Sequence, residues 1–549
     1  MRDLFRLIAL ALISCAVVGA AMVYSREGDM ATGMRAAASS VGQQISGIGQ
    51  QIAGSATDAL AGPSEPTGYP ITIGRAHAAQ WVGLAGFPDQ TELTFPIPAG
   101  GRYLSGALLL GLDTQLTDAG DGLLTILVNG TPRQQLVLNG GHDSQQVRIA
   151  LTSAELAQDH IVLGLAGRGT TSAGQLCPAD DVNSGSAVTL SADSRLELIA
   201  EQPLSDAIGA LIAAPAPLVL DPGRSTSEAA MVVWAHQQLT RNGIDARIGV
   251  AGPDETPVAL LDHAASAAGM ASRNQLIGQQ AIAQLVTAAG TTMARPLAWP
   301  VTVADLGAET SVRSFRGSRR WTIAFAAADL PGGHLPDQFK LGLKTTPLEG
   351  TNDWVVRVTL NGNLLESRRI AGNADQIEFA VDLPAARLLP ANSLIVELVD
   401  TSSAEGVCNR VADAQAQLLP ESVLTDRTPA PAGWAALVEQ LALLPDIAIS
   451  SSLSMTAAQG TEASALLGMI LPAAAKVRFD GTGAATLHVV DRAGLAAMLA
   501  DQEPGQSLVA ILPGAGIAPP DVVAVPSPEL GAALARLEAD DVFVTIAGL

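Results

Sequence analysis

Leu123-Leu124-Thr125-Ile126-Leu127-Val128-Asn129-Gly130 and Val355-Val356-Arg357-Val358-Thr359-Leu360-Asn361-Gly362 carry one pattern twice: an aliphatic, β-branched run that leads into Asn-Gly. Asn-Gly is the dipeptide that most easily takes the positive φ angles of a two-residue hairpin turn, so each stretch predicts a strand, a tight turn and an antiparallel return strand. The two asparagines are 232 positions apart, and Cys177 and Cys408 follow them by 48 and 47 positions. Asp193-Ser194-Arg195-Leu196-Glu197-Leu198 closes the first segment and Glu421-Ser422-Val423-Leu424 the second. Spacing held so nearly constant over such a distance marks a duplication.

Outward from each hairpin the same style continues. Gln146 to Leu151 and Ile161 to Leu165 in the first copy, and Ile377 to Val381 and Leu394 to Leu398 in the second, read as further short strands between turn residues. Many short strands of this kind predict an antiparallel sandwich or jelly roll. Past Pro203 the pattern changes. Pro217 to Asp221 is a short buried strand, Ser225 to Leu239 a helix with a Ser or Thr N-cap, Ala246 to Val250 a strand and Pro257 to Asp262 another, followed by an Ala-rich helical run to Ala288. After the second β segment the alternation returns: helix from Trp434 to Leu444, strand Ala485 to Val490, helix Asp491 to Ala500, strands Leu508 to Leu512 and Val522 to Val525, helix Ser527 to Leu537 and strand Val542 to Ile546. Alternating strands and helices predict parallel sheets. The organisation read from this is an N-terminal segment 1–27, a stalk or linker 28–69, β domains 70–202 and 298–425, and α/β domains 203–297 and 426–549. Within the stalk, Met34, Val41, Ile45, Ile48 and Ile52 form one helical stripe, set against glycines that disfavour a helix.

Length and composition agree with several packed domains: 549 residues, 48% hydrophobic and 15% charged. A net charge of −22 excludes a nucleic-acid binder, which needs a basic face against phosphates. Arg2 and Arg6 precede an apolar run from Leu7 to Tyr24. We read it as an uncleaved membrane helix with its basic end in the cytoplasm. A signal peptide cut near Ala20-Ala21 and a lipobox at Leu12-Ile13-Ser14-Cys15 are the competing readings, and all three export the rest of the chain. Cys177 and Cys408 stand at equivalent places and read as two separate buried thiols; a disulfide would need their Cα atoms within about 7 Å.

In this order the sequence resembles the periplasmic B subunit of bacterial cellulose synthase, a family often labelled cyclic-di-GMP-binding regulatory proteins. The resemblance is carried by Thr302-Val303-Ala304-Asp305-Leu306-Gly307 at the opening of the second β domain, by the strands leading into Asn129-Gly130 and Asn361-Gly362, and by the single cysteine before a Ser-containing strand in each copy; it covers about 70–549. It implies two jelly-roll, carbohydrate-binding-like domains alternating with two flavodoxin-like domains. It further implies a non-catalytic role, in which the protein supports a membrane-embedded glycosyltransferase subunit from the periplasm and guides the emerging glucan. The family usually carries its membrane helix at the C-terminal end, whereas the apolar run here is N-terminal.

There is no Gly-x-Ser-x-Gly elbow, no His-Glu-x-x-His and no metal-ligand spacing among the seven histidines. Gly481-Thr482-Gly483 and Gly514-Ala515-Gly516 do not open a helix after a strand, so no nucleotide cofactor is expected. Every Ser-x-x-Gly lacks the Asp or Asn two positions earlier that cyclic-di-GMP binding requires. Arg313, Arg316, Arg319 and Arg320 therefore read as a solvated basic loop. Sugars stack on aromatic rings, and the candidates are Trp354, Trp81, Tyr103 and Trp321, with core packing as the alternative. Trp354 is the foremost expectation, because polar Asn352 and Asp353 precede it. Asp221 and Asp262 each end a predicted parallel strand, where ligands of α/β domains bind; helix capping is the alternative.

Overall fold

The structure is a computed structural model. It describes residues 68–547 apart from 77–81, 85–88, 171–186, 215–216, 222–224, 254, 262–269, 273–274, 290–296, 316–317, 349–351, 402–413, 428–431, 454, 502–507, 515–517, 526, 537 and 539–540. The apolar run, the stalk stripe, Trp81, Cys177, Asp262, Arg316 and Cys408 lie outside the described residues. Among those described, no helix is long and apolar enough to cross a membrane.

The fold is mixed and mostly β, with sandwich-like sheets. The first β part contains β1 (Tyr69–Gly74), β2 (Gly83–Leu84), β3 (Asp89–Pro96), β4 (Tyr103–Val128), β5 (Thr131–Ala150), β6 (His160–Thr170), β7 (Ala187–Leu190) and β8 (Arg195–Ala200). The Asn-Gly turn joins β4 to β5, with φ of 49° at Asn129 and 75° at Gly130. The short strands expected at 123–128 and 146–151 are parts of one long hairpin, β4 with β5. Residues 103–115 of β4 pair with β7 and β8, while 121–128 pair with β6, so a single long strand joins two parts of the eight-stranded sheet.

Before the second β part come α1 (Ala207–Ile212), β9 (Leu218–Leu220), α2 (Thr226–Arg241), β10 (Ala246–Ile248), β11 (Thr256–Leu261), β12 (Met270–Ser272), β13 (Gln275–Ile277) and α3 (Gly278–Ala288). Strands β10, β9, β11 and β13 form the expected parallel sheet, in that order. The Ala-rich stretch expected to be wholly helical instead holds β12 and β13 before α3 begins. Ser225 caps α2: its Oγ accepts from Glu228 N at 3.2 Å while Glu228 Oε2 accepts from Ser225 N at 3.1 Å. That reciprocal box satisfies two orphan donors of the first turn.

The second β part divides the sandwich into two sheets. One holds β14 (Val301–Thr302), β15 (Arg313–Phe315), β17 (Leu335–Thr345), β20 (Gln376–Asp382), β22 (Ala414–Leu418) and β23 (Val423–Arg427); the other holds β16 (Ser318–Ala326), β18 (Asp353–Leu360), β19 (Asn363–Ala371) and β21 (Ala391–Asp400). The second turn repeats the first, with φ of 50° at Asn361 and 78° at Gly362. In each copy the asparagine side chain accepts from the strand on the other side of the hairpin's first strand, β6 or β21: Val162 N to Asn129 Oδ1 at 2.8 Å and Ser393 N to Asn361 Oδ1 at 2.9 Å. Asparagine therefore tolerates the turn's backbone and also stitches the turn to the sheet.

The chain ends in α4 (Trp434–Ala442), β24 (Ile447–Ser451), α5 (Ala457–Ile470), β25 (Val477–Arg478), β26 (Ala485–Val490), α6 (Arg492–Asp501), β27 (Leu508–Leu512), β28 (Asp521–Val525), α7 (Pro528–Leu534) and β29 (Phe543–Ala547). Its sheet is mixed where a parallel one was expected: β24 to β26 are parallel, but β29 enters antiparallel between β26 and β27. The two α/β parts do not keep separate cores. Buried residues of α2, β9, β10, α5, β24 and β26 belong to one apolar cluster, with α2 packed on α5. Each sandwich keeps its own core.

Candidate functional site

Four aromatics were candidates for a sugar-binding surface, with core packing as the alternative, and the described ones are structural. Trp354 is fully buried and Trp321 nearly so, at 0% and 2% exposure, which corrects the expectation that Trp354 is exposed. The reason is strand parity. In β18, Trp354 shares the inward face with Val356, Val358 and Leu360, whereas polar Asp353 faces the other way; in β16, Trp321 points inward with Ile323 and Phe325. Each indole N–H is buried without a hydrogen-bond partner. Tyr103 packs against the first core and donates its hydroxyl to the Pro98 carbonyl at 2.6 Å. Burial pushes that phenol up to about 12. Asp221 lies exposed just past β9, its backbone N–H donating to the Val258 carbonyl at 2.9 Å; the N-cap of α2 is Ser225.

The structure instead brings together residues that sequence reasoning set aside. A cleft of about 580 Å³ opens between the sandwiches. One wall is Gln90, Thr91 and Glu92 on β3, and the other is Gly307, Glu309, Thr310, Ser311 and Arg313 at the entry to β15. Two of its lining residues, Glu309 and Arg313, belong to an ionic frame. Arg319 at the start of β16 donates to Asp89 Oδ1 at 2.9 Å and to Glu309, and Glu309 also accepts from Arg313 and, at 2.6 Å, from Ser311 Oγ. The Arg319 and Asp89 side chains are only 15% and 16% exposed. Gln417 Nε2 donates to the Thr310 carbonyl at 2.8 Å and holds the second wall.

Arg313 and Arg319 are thus internal clamps rather than members of a solvated basic loop. Arg320 points to the opposite face, where Glu397 accepts from it at 2.7 Å and from Arg357 at 3.2 Å. Burial raises the Glu397 carboxyl, but its two guanidinium partners outweigh that and leave it below the ordinary carboxylate range. With the frame's charges compensated internally, the cleft offers hydroxyls, a carboxamide and the Glu92 carboxylate to a ligand. Such a set suits hydrogen bonding to a neutral polyhydroxyl chain. The sequence signal for this site was the pairing of Glu309 with Arg313 four residues on; its link to β3 spans 230 positions and left no local trace.

No family model matches the chain, and no curated protein does. Among solved structures, it is similar to a CBM36-1 domain of a multidomain xylanase from the hindgut metagenome of Trinervitermes trinervoides, at 10% identity and a TM-score of 0.14 over 24% of this chain and 96% of that one. Dimeric latent PorU from Porphyromonas gingivalis matches at 10% identity and a TM-score of 0.18, over 74% of this chain and 25% of PorU. A family two carbohydrate esterase from Clostridium thermocellum, solved with cellohexaose, matches at 13% identity and 0.13, over 36% and 49%. Similarity at this level carries no argument about function.

Proposed function

We propose that this protein is a non-catalytic, membrane-tethered periplasmic subunit of a bacterial cellulose synthase or a related exopolysaccharide synthase. In this reading the sandwiches are jelly-roll modules that guide the glucan, the α/β parts are flavodoxin-like supports, and the partner is the membrane-embedded glycosyltransferase subunit. The order of the duplicated parts supports it. The observation that carries it is the polar cleft between the sandwiches, whose walls are set by the Asp89–Arg319–Glu309 frame. A glucan presents hydroxyls along its whole length, and a cleft offering hydroxyls, a carboxamide and one carboxylate suits a chain that must slide rather than lock. Titration calorimetry with cellohexaose tests it. Binding to the parent protein, weakened about tenfold (~1.4 kcal/mol) by Gln90→Ala with Thr310→Ala, is the expected result. No heat of binding, or equal binding by the variant, would overturn the cleft assignment.

A second reading, a secreted carbohydrate-active enzyme, draws on the two carboxylates lining the same cleft, Glu92 and Glu309. Glycoside hydrolysis needs one carboxyl free to donate a proton. Glu309 is taken up by Arg313, Arg319 and Ser311, so Glu92 would have to be that acid. Release of reducing ends from a glucan, abolished by Glu92→Gln, would establish this reading in place of the first.

A further inference from the structure

Asp89 and Arg319 hold equivalent places in the two copies. Asp89 faces Gly167 across β3 and β6, and Arg319 faces Leu398 across β16 and β21. Those partners are 231 positions apart, the offset that also relates Gly111 to Gly342, Val162 to Ser393 and Ser225 to Thr456, the caps of α2 and α5. Yet the Asp89 and Arg319 side chains touch each other, at 2.9 Å. In an assembly of two copies, a position meets its own counterpart only at a two-fold axis.

The relation recurs in the α/β parts. Gln237 on α2 and Gly468 on α5 are 231 apart, and Gln237 Cγ lies 3.5 Å from where a Cβ on Gly468 would stand. Contacts around that point run in both directions. Trp234 of α2 meets Phe479, just past β25, at a centroid distance of 5.6 Å, while Gly460 of α5 lies against Ile248 of β10. Between them His236 Nδ1 accepts from Ser464 Oγ at 2.7 Å.

We infer that residues 68–297 and 298–547 are the halves of an internal dimer, folded about an approximate two-fold axis near Asp89/Arg319 and Gln237/Gly468, and that this surface holds them together without the covalent connection. Each half is the other's partner. Divergence at the axis makes the pairing specific: Asp opposes Arg, and the Gln237 side chain lies over a residue with none. Two copies of one half would oppose like charges, or set two glutamines in the space of one. The inference does not depend on what the cleft binds, although its two walls come from opposite halves and only the pairing assembles them.

The test uses the full chain with a protease site inserted within 290–296, cut after purification and followed by size exclusion with light scattering. The cut protein should elute as one species at the intact mass, 56.0 kDa. Arg319→Asp should speed dissociation of the cut halves at least tenfold, and adding Asp89→Arg should restore the parental rate. If Arg319→Asp does not fold, Arg319→Gln removes the charge with less strain and should also speed dissociation. Halves that separate on cutting, or variants that dissociate at the parental rate, would overturn the inference.

Discussion

Ser422 Oγ accepts from the Gly342 backbone N–H at 3.0 Å and donates to the carbonyl of the same residue at 3.1 Å. Ser194 repeats the first of these bonds with Gly111 at 3.1 Å in the other copy. Both serines are buried, at 2% and 1% exposure. Each sits where the chain turns into the strand that closes its sandwich, and a Cβ on the glycine opposite would crowd that turn, at Ser191 and Asp193 in one copy and at Leu419 in the other. Ser422→Ala and Ser194→Ala should each cost about 1–2 kcal/mol, since each strands a buried polar group. The sites lie in separate sandwiches, so the double variant should show the sum in chemical denaturation.

Arg319 is the only cation that the structure shows joining the two sandwiches among its described ion pairs, and it serves Asp89 and Glu309 together. Arg319→Ala leaves two carboxylates without their shared partner. We expect a loss of about 2–3 kcal/mol, at or below the lower end of the range for breaking a buried pair because the site keeps some solvent access. Arg320→Ala, on the solvent-facing side, should cost under about 1 kcal/mol. Equal losses for the two variants in thermal unfolding would contradict the clamp.

Trp354→Ala should destabilise by roughly 3–5 kcal/mol, as for other large aromatic deletions in a packed core. Trp354→Phe should cost less than half of that, because the indole N–H it removes has no partner. Neither substitution should change cellohexaose affinity in molecules that remain folded. A selective loss of binding by Trp354→Phe would restore the sugar-platform reading.

Burial lowers the pKa of His236, whose Nε2–H donates to the Ala246 carbonyl at 3.1 Å and whose Nδ1 accepts from Ser464. The ring is therefore neutral in the native state. Below about pH 6.5 the unfolded histidine takes a proton that the native one refuses, so stability present above that pH is lost as pH falls toward the depressed native value. His236→Asn should flatten the dependence of Tm on pH between 7 and 5 relative to the parent. Parallel curves for the two proteins would contradict this.

Local chemistry made the hairpins legible. Asn129-Gly130 and Asn361-Gly362 announce their turns, Ser225 announces a cap, and Ala485 to Val490 forms a strand with the expected bounds. Parity was also available: Trp354 alternates in step with Val356 and Val358, and that pattern outweighs the polar residues before it. What stayed hidden depends on contacts distant in sequence. Nothing near Phe543–Ala547 says that β29 will enter its sheet antiparallel, and nothing near Arg319 says that Asp89 will receive it. β24 and α5 went unread because Ile447–Ser451 is short and the apolar residues of Ala457–Ile470 are spread around the helix, as befits one packed on both sides.

The role proposed for the protein is that of a subunit of a membrane polysaccharide synthase. Its most direct test is a pull-down of the full-length protein from its native membrane in detergent, scored for a co-purifying multi-span glycosyltransferase. Recovery of that enzyme, lost when residues 1–27 are deleted, is the expected result. Recovery of the protein alone from the soluble periplasmic fraction would contradict it.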